Sequence, residues 1–228
     1  MVVPRTSRAN QMKFRELPAD AWARPGRSSG GYKHHSLRED VADDYLDALD
    51  ELHEAGALLT SSGSRRRLTA NVGRARSATS LHYLGRAFDL FVGSGMVEPY
   101  QDDPFVVVPR GSGRWRVYAR ALGGDLRILP AWRWRKGRKP LVCNVVDRFV
   151  DFTGIMLRHG FDGIGRRSGW RTHRGCLEWW HFQHEVGLRR GVTTFGSELL
   201  KVYTREQLLD SPPWKYRAAV WNGGGFTR

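Results

Sequence analysis

Cysteine is scarce. The 228 residues contain two, Cys143 and Cys176. That excludes a disulfide scaffold and any zinc site built from cysteine alone. Long apolar runs are absent too. No stretch approaches the ~20 residues that span a bilayer as a helix. The opening residues, MVVPRTSRAN, have no apolar core of the kind a secretory leader needs. Acid is in short supply: Lys and Arg number 37 against 23 Asp and Glu, a net charge of +14. Only six of those cations are lysines, so 31 are arginines. A surplus of this size favours an anionic partner, such as nucleic acid, an anionic membrane or an anionic cell-wall polymer.

What is present describes a folded chain. Hydrophobic residues at 40% and aromatics at 11% exclude wholesale disorder. Residues 1–31 read as an N-terminal arm, punctuated by Pro4, Pro18, Pro25 and a Ser-Ser-Gly-Gly run. A helix is predicted over 37–55. Ser36 and Glu39 form an S-x-x-E capping box, Val41, Tyr45, Leu46, Leu49 and Leu52 keep helical spacing, and Gly56 stops it. Residues 57–60 read as a short buried strand and 86–92 as another. Phe105–Val108 and Trp115–Tyr118 flank Gly111-Ser112-Gly113 as a hairpin. Trp132-Arg133-Trp134-Arg135-Lys136 is a basic, aromatic patch. A second helix is predicted over 145–158, with Asn144 as its cap. A strand region follows at 176–183, then weak helical signals at 197–202 and 205–210, then a tail rich in Trp, Pro and Gly. Helices and strands in mixed order predict an α+β fold, a small central antiparallel sheet flanked by helices with a β-hairpin insertion.

Two segments carry chemistry: Ser80-Leu81-His82-Tyr83-Leu84-Gly85-Arg86-Ala87-Phe88-Asp89 and Glu178-Trp179-Trp180-His181-Phe182. A hydrolytic zinc site needs three nitrogen or oxygen ligands and one open position for water. It also needs a carboxylate that is not a ligand, to take the proton of that water. His82, Asp89 and His181 can be the ligands and Glu178 the base. Alternation along a strand would point Glu178 and His181 to opposite faces, because their separation is odd. The chain must therefore bend, bulge or enter from a loop at Glu178. The same parity separates His82 from Asp89, and Gly85 is where that turn falls. Trp179, Trp180 and Phe182 read as core packing, and Cys176 as a buried neutral thiol. His34, His35, His53, His159, His173 and His184 are not read as ligands.

S-x-H-x-x-G-x-A-x-D followed by E-x-W-H resembles the zinc D-alanyl-D-alanine carboxypeptidases and dipeptidases of bacterial cell-wall metabolism and vancomycin resistance, within the wider lysostaphin-like group. The resemblance implies His82, Asp89 and His181 as ligands to one Zn2+ and Glu178 as general base. Thr60-Ser61-Ser62-Gly63-Ser64-Arg65 is similar to the family's T-S-G-x-R segment, whose arginine holds the substrate carbonyl. Arg65 is the counterpart, with Arg66 and Arg67 adjacent. Ser80 is implied at the substrate. The resemblance covers roughly half of the chain, about residues 57–92 and 160–185 with the preceding helix. A zinc peptidase domain over 32–203 follows, with a 93–140 insertion and a 204–228 tail. The gap from Asp89 to His181 is longer than the family's usual separation.

The expected activity is hydrolysis of peptide bonds in bacterial peptidoglycan, as a carboxypeptidase or as a stem or cross-bridge endopeptidase. The expected partners are the peptidoglycan peptide and anionic wall polymers. The expected place of action is the bacterial cell wall or periplasm, reached as a phage lysin, as tail or injection-system cargo, or as a trimmed secreted protein. The alternative is a non-catalytic zinc-containing wall-binding module. Hedgehog signalling domains resemble this group and keep a zinc site, but retention of Glu178 argues for catalysis. A nucleic-acid binder ranks last, because no nucleic-acid motif accompanies the charge.

Overall fold

The computed structural model describes residues 11–22, 31–73, 76–97, 103–189 and 191–211. The tail beyond residue 211 and parts of the N-terminal arm lie outside the described residues.

Among the described residues, three antiparallel sheets and four α-helices make an α+β fold with a hairpin. Strands β1 (Phe14–Pro18) and β2 (His34–Arg38) form a two-stranded ribbon. Helix α1 (Ala42–Glu54) buries Tyr45, Ala48, Leu49 and Leu52. The central sheet has the order β3-β8-β7, from β3 (Ala87–Asp89), β7 (Phe161–Gly163) and β8 (His181–His184). The third sheet has the order β4-β5-β6, from β4 (Phe105–Gly111), β5 (Arg114–Arg133) and β6 (Leu141–Val150). Helix α2 (Phe152–Arg158) follows β6, and α3 (Phe195–Leu199) and α4 (Arg205–Leu209) follow the central sheet. No helix among the described residues is long and apolar enough to cross a membrane.

Several local expectations are corrected. The Ser36–Glu39 capping box does not form. Ser36 sits in β2, where its N–H donates to Ser64 Oγ at 2.6 Å, and α1 begins at Ala42 without a side-chain cap. Residues 57–60 form no strand, only an isolated bridge from Thr60 to Asp20. The helix predicted over 145–158 divides. Its first part is the end of β6, and Asp151, not Asn144, caps α2 by accepting from Gly154 N–H at 3.0 Å. The strand at 86–92 shrinks to Ala87–Asp89, and that at 176–183 shifts to His181–His184. Within the arm, Phe14–Pro18 forms β1 and Leu17 is buried.

The main core runs from α1 through Phe88, Phe152, Phe161, Trp179 and Phe182 into Phe105, Trp115 and Val117 of the hairpin. The hairpin sheet thus shares the core that backs β3 and β8. Trp179, Trp180 and Phe182 are buried, as expected, and Cys143 and Cys176 are free thiols.

Candidate metal centre

Each ligand candidate is held by a different local device. His82 sits in a 3-10 turn, Leu81–Leu84, whose Leu81, Tyr83 and Leu84 pack against Phe195, Leu199 and Tyr203. Gly85 ends the turn with φ +66°. A Cβ there would lie 2.5 Å from the Phe14 ring and 2.9 Å from Arg38 N, so only glycine fits both the angle and the space. The turn reverses direction and lets Asp89, seven residues on, face the same point as His82.

Asp89 and His181 are direct register partners at the end of the antiparallel β3–β8 pair. Glu178 lies at φ +58°, a left-handed conformation uncommon outside glycine. That bend resolves the parity conflict read from the sequence. His181 N–H donates back to Glu178 O at 3.1 Å, closing a tight turn. The segment 60–66 runs along the free edge of β3. Asp89 N–H donates to Gly63 O at 2.9 Å, and Ser62 N–H to Asp89 O at 2.8 Å.

The three ligand atoms form a triangle. His82 Nε2 lies 3.2 Å from Asp89 Oδ1 and 3.1 Å from His181 Nδ1, and His181 Nδ1 lies 3.0 Å from Asp89 Oδ1. The opposite ring nitrogens are each occupied. His82 Nδ1 is 2.5 Å from Ser64 O, and His181 Nε2 is 3.1 Å from Gln183 Oε1. Both acceptors require an N–H, so both rings turn their lone pairs into the triangle. Group, burial and tautomer make this a site that could hold a metal ion.

The three groups act on one another's protonation. Burial alone would raise the Asp89 carboxyl, but the His82 and His181 imidazoles hold it ionised, far below the usual carboxylate range. Burial pushes His82 down despite Asp89. For His181 burial also acts downward, but the hydrogen bond and charge of Asp89 raise it. The Glu178 carboxyl is pushed up by burial, against the pull of His181 and Arg167.

A cavity of about 90 Å³ adjoins the triangle, lined by Ser80, Arg167, Glu178 and Trp180 beside the three ligands. Arg167 Nε lies 2.6 Å from Glu178 Oε1, yet off the hydrogen-bonding direction, so this buried oxygen has an ion-pair neighbour and no hydrogen bond. A wider cleft of about 780 Å³ also reaches the triangle, lined by Arg65, Arg67, Arg76 and Glu16. His82, Asp89 and Arg66 line both spaces.

The sequence candidates therefore separate. His82, Asp89, His181, Glu178 and Ser80 come together. Arg65 does not face the small cavity. Its guanidinium lies over the Phe14 ring at 3.8 Å. Its neighbour Arg66 lines that cavity, with Nη1 buried and without a hydrogen-bond partner. His184 is not a ligand but pairs with Asp44 at 2.9 Å. Sequence reading missed Arg167, because nothing local marks an arginine 11 residues before a carboxylate as its neighbour.

Compared with known proteins, the chain matches no family model, no curated protein and no solved structure.

Proposed function

We propose that the chain is a zinc metallopeptidase hydrolysing peptide bonds of bacterial peptidoglycan. One observation carries the hydrolytic reading: a buried carboxylate oxygen without a hydrogen bond, Glu178 Oε1, shares a cavity with three converging ligand atoms. Zinc bonds of about 2.0–2.2 Å at tetrahedral angles put ligand atoms about 3.3–3.5 Å apart, so the observed triangle needs to open only slightly. Two nitrogens and one carboxylate oxygen suit zinc, and the fourth position would be left for water beside the cavity that Glu178 lines. The choice of peptidoglycan rests on the two motifs and on the charge of +14, which suits anionic wall polymers.

A bound zinc ion supplies a Lewis acid and lowers the pKa of water to about 7. The protein groups do the rest. Glu178, its affinity for a proton raised by burial, takes the proton of the attacking water and returns it to the leaving amine. Arg66 Nη1 is free to donate to the carbonyl oxygen as negative charge develops there. Ser80 lines the cavity as a substrate contact.

The test is digestion of purified sacculi by the zinc-loaded protein, followed by mass analysis of the released muropeptides. New peptide termini are expected. Glu178→Gln abolishes them while one zinc per chain remains bound. Intact muropeptides with wild-type protein, or turnover that survives Glu178→Gln, overturn the reading. Sacculus binding without turnover identifies the non-catalytic module instead.

A further inference from the structure

The β5–β6 hairpin has two unlike faces. Alternation along the strands puts Leu129, Ala131, Val145 and Phe149 inward, buried with Val106, Val108 and Tyr118. The register pairs Ile128 with Val146, Leu126 with Arg148 and Trp132 with Val142. This sets Leu126, Ile128, Val142 and Val146 together on the outer face. They are 71%, 66%, 51% and 59% exposed. Four aliphatic side chains on one face exceed the scattered apolar exposure of an ordinary surface.

The rim of this face is cationic. Five of the seven residues 133–139 at the hairpin tip are Arg133, Arg135, Lys136, Arg138 and Lys139, and Arg148 stands on the face itself. Lys136, Arg138 and Lys139 form no ion pair among the described residues. The tip is not a loose extension. Gly137 N–H donates to Arg171 O at 2.7 Å and Trp134 Nε1 to Trp170 O at 2.8 Å, tying it to the segment that carries Arg167.

We propose that this face docks onto an anionic phospholipid bilayer, with the aliphatic side chains in the interface and the tip cations on the headgroups. Both halves of the surface are then satisfied at once. A nucleic acid or a wall polyanion would engage the cations but offer nothing to Leu126, Ile128 and Val146. A second copy would cover the aliphatic face but, at +14 per chain, bring like charge together rather than an anionic layer to the tip cations. The docked hairpin would hold the metal centre at the bilayer surface. This inference does not depend on the proposed activity.

The full-length protein is sedimented with vesicles of phosphatidylcholine alone and of phosphatidylcholine with phosphatidylglycerol. Binding to the mixed vesicles only is expected. Lys136→Glu, Arg138→Glu and Lys139→Glu together should weaken it by roughly 100-fold. Leu126→Thr, Ile128→Thr and Val146→Thr together should weaken it by roughly tenfold, with Thr keeping the strand propensity. Both triple variants should retain wild-type metal uptake, which certifies the fold. Failure of the wild type to bind mixed vesicles overturns the proposal. So does a threonine variant that binds as well as wild type, which would leave charge alone as the cause. A wild-type dimer that the threonine variant dissolves assigns the face to a second copy and equally overturns it.

Discussion

Arg86 and His184 hold each other in both directions behind the metal centre. His184 N–H donates to Arg86 O at 2.8 Å, and Arg86 Nε donates to His184 O at 3.1 Å. Arg86 lies three residues before Asp89 and His184 three residues after His181. The clasp therefore braces the strand pair that brings the aspartate and the second imidazole together.

Removing the clasp should loosen the site from behind. Arg86→Met leaves the carbonyls of His184 and Val186 without their donor and removes a cation lying 3.7 Å from buried Glu198. The expected cost is about 3 kcal/mol of stability. Thermal unfolding should show it, and zinc affinity should fall as well. A variant as stable as wild type would mean the clasp is redundant.

The two adjacent arginines should behave oppositely. On the proposed activity, Arg66→Ala should lower kcat on a peptidoglycan fragment by about 100-fold with little change in KM, as loss of a charge-stabilising donor does. Arg65→Ala should leave kcat within about threefold, because its guanidinium rests on Phe14 outside the small cavity. Steady-state kinetics of the pair decides the assignment, and reversed effects would restore Arg65.

Gln183 accepts from His181 Nε2 and fixes which ring nitrogen faces His82 and Asp89. Gln183→Leu should weaken zinc binding by about 10–100-fold without unfolding the protein. Competition with a chromogenic chelator measures this directly. Unchanged affinity would show that the register with Asp89 alone orients the ring.

His35 makes stability depend on pH. It is fully buried against Tyr45 and Phe88, and burial pushes its pKa from 6.5 down to about 3. The unfolded chain binds this proton below pH 6.5, whereas the folded one refuses it until about pH 3. The contribution is therefore full above pH 6.5 and is lost as pH falls toward 3. At pH 4 the loss is roughly 3 kcal/mol. His35→Phe gives up the contact to Ser61 Oγ, worth about 1 kcal/mol at neutral pH, but has no proton to exclude. Denaturant melts of both proteins from pH 7 to pH 4 should converge and then cross. A constant gap would refute the account.

Much of the centre was legible because its logic is parity. An odd separation on a strand forces a bend, and the structure bends at Gly85 and Glu178, the two positions that logic singles out. The helix predicted over 145–158 failed for a related reason. Val145 and Phe149 are four apart, which suits one face of a helix and equally one face of a strand. Pairing with β5 decided for the strand. Ser36 and Glu39 matched a cap in spacing, but the Ser36 backbone was already engaged by Ser64, a partner 28 residues away. That Arg66 and not Arg65 lines the small cavity likewise hinges on Phe14, which the β1–β2 ribbon brings under Arg65. Local patterns could not carry these long-range contacts.

The left-handed backbone at Glu178 has an evolutionary side. A side chain there costs on the order of 1 kcal/mol that glycine would not pay. Selection for heat resistance alone should drift this position toward glycine and discard the carboxylate on the way. A library screened for both traits should keep glutamate here and gain its stability elsewhere, so the residue's persistence under such pressure reports whether the carboxylate is in use.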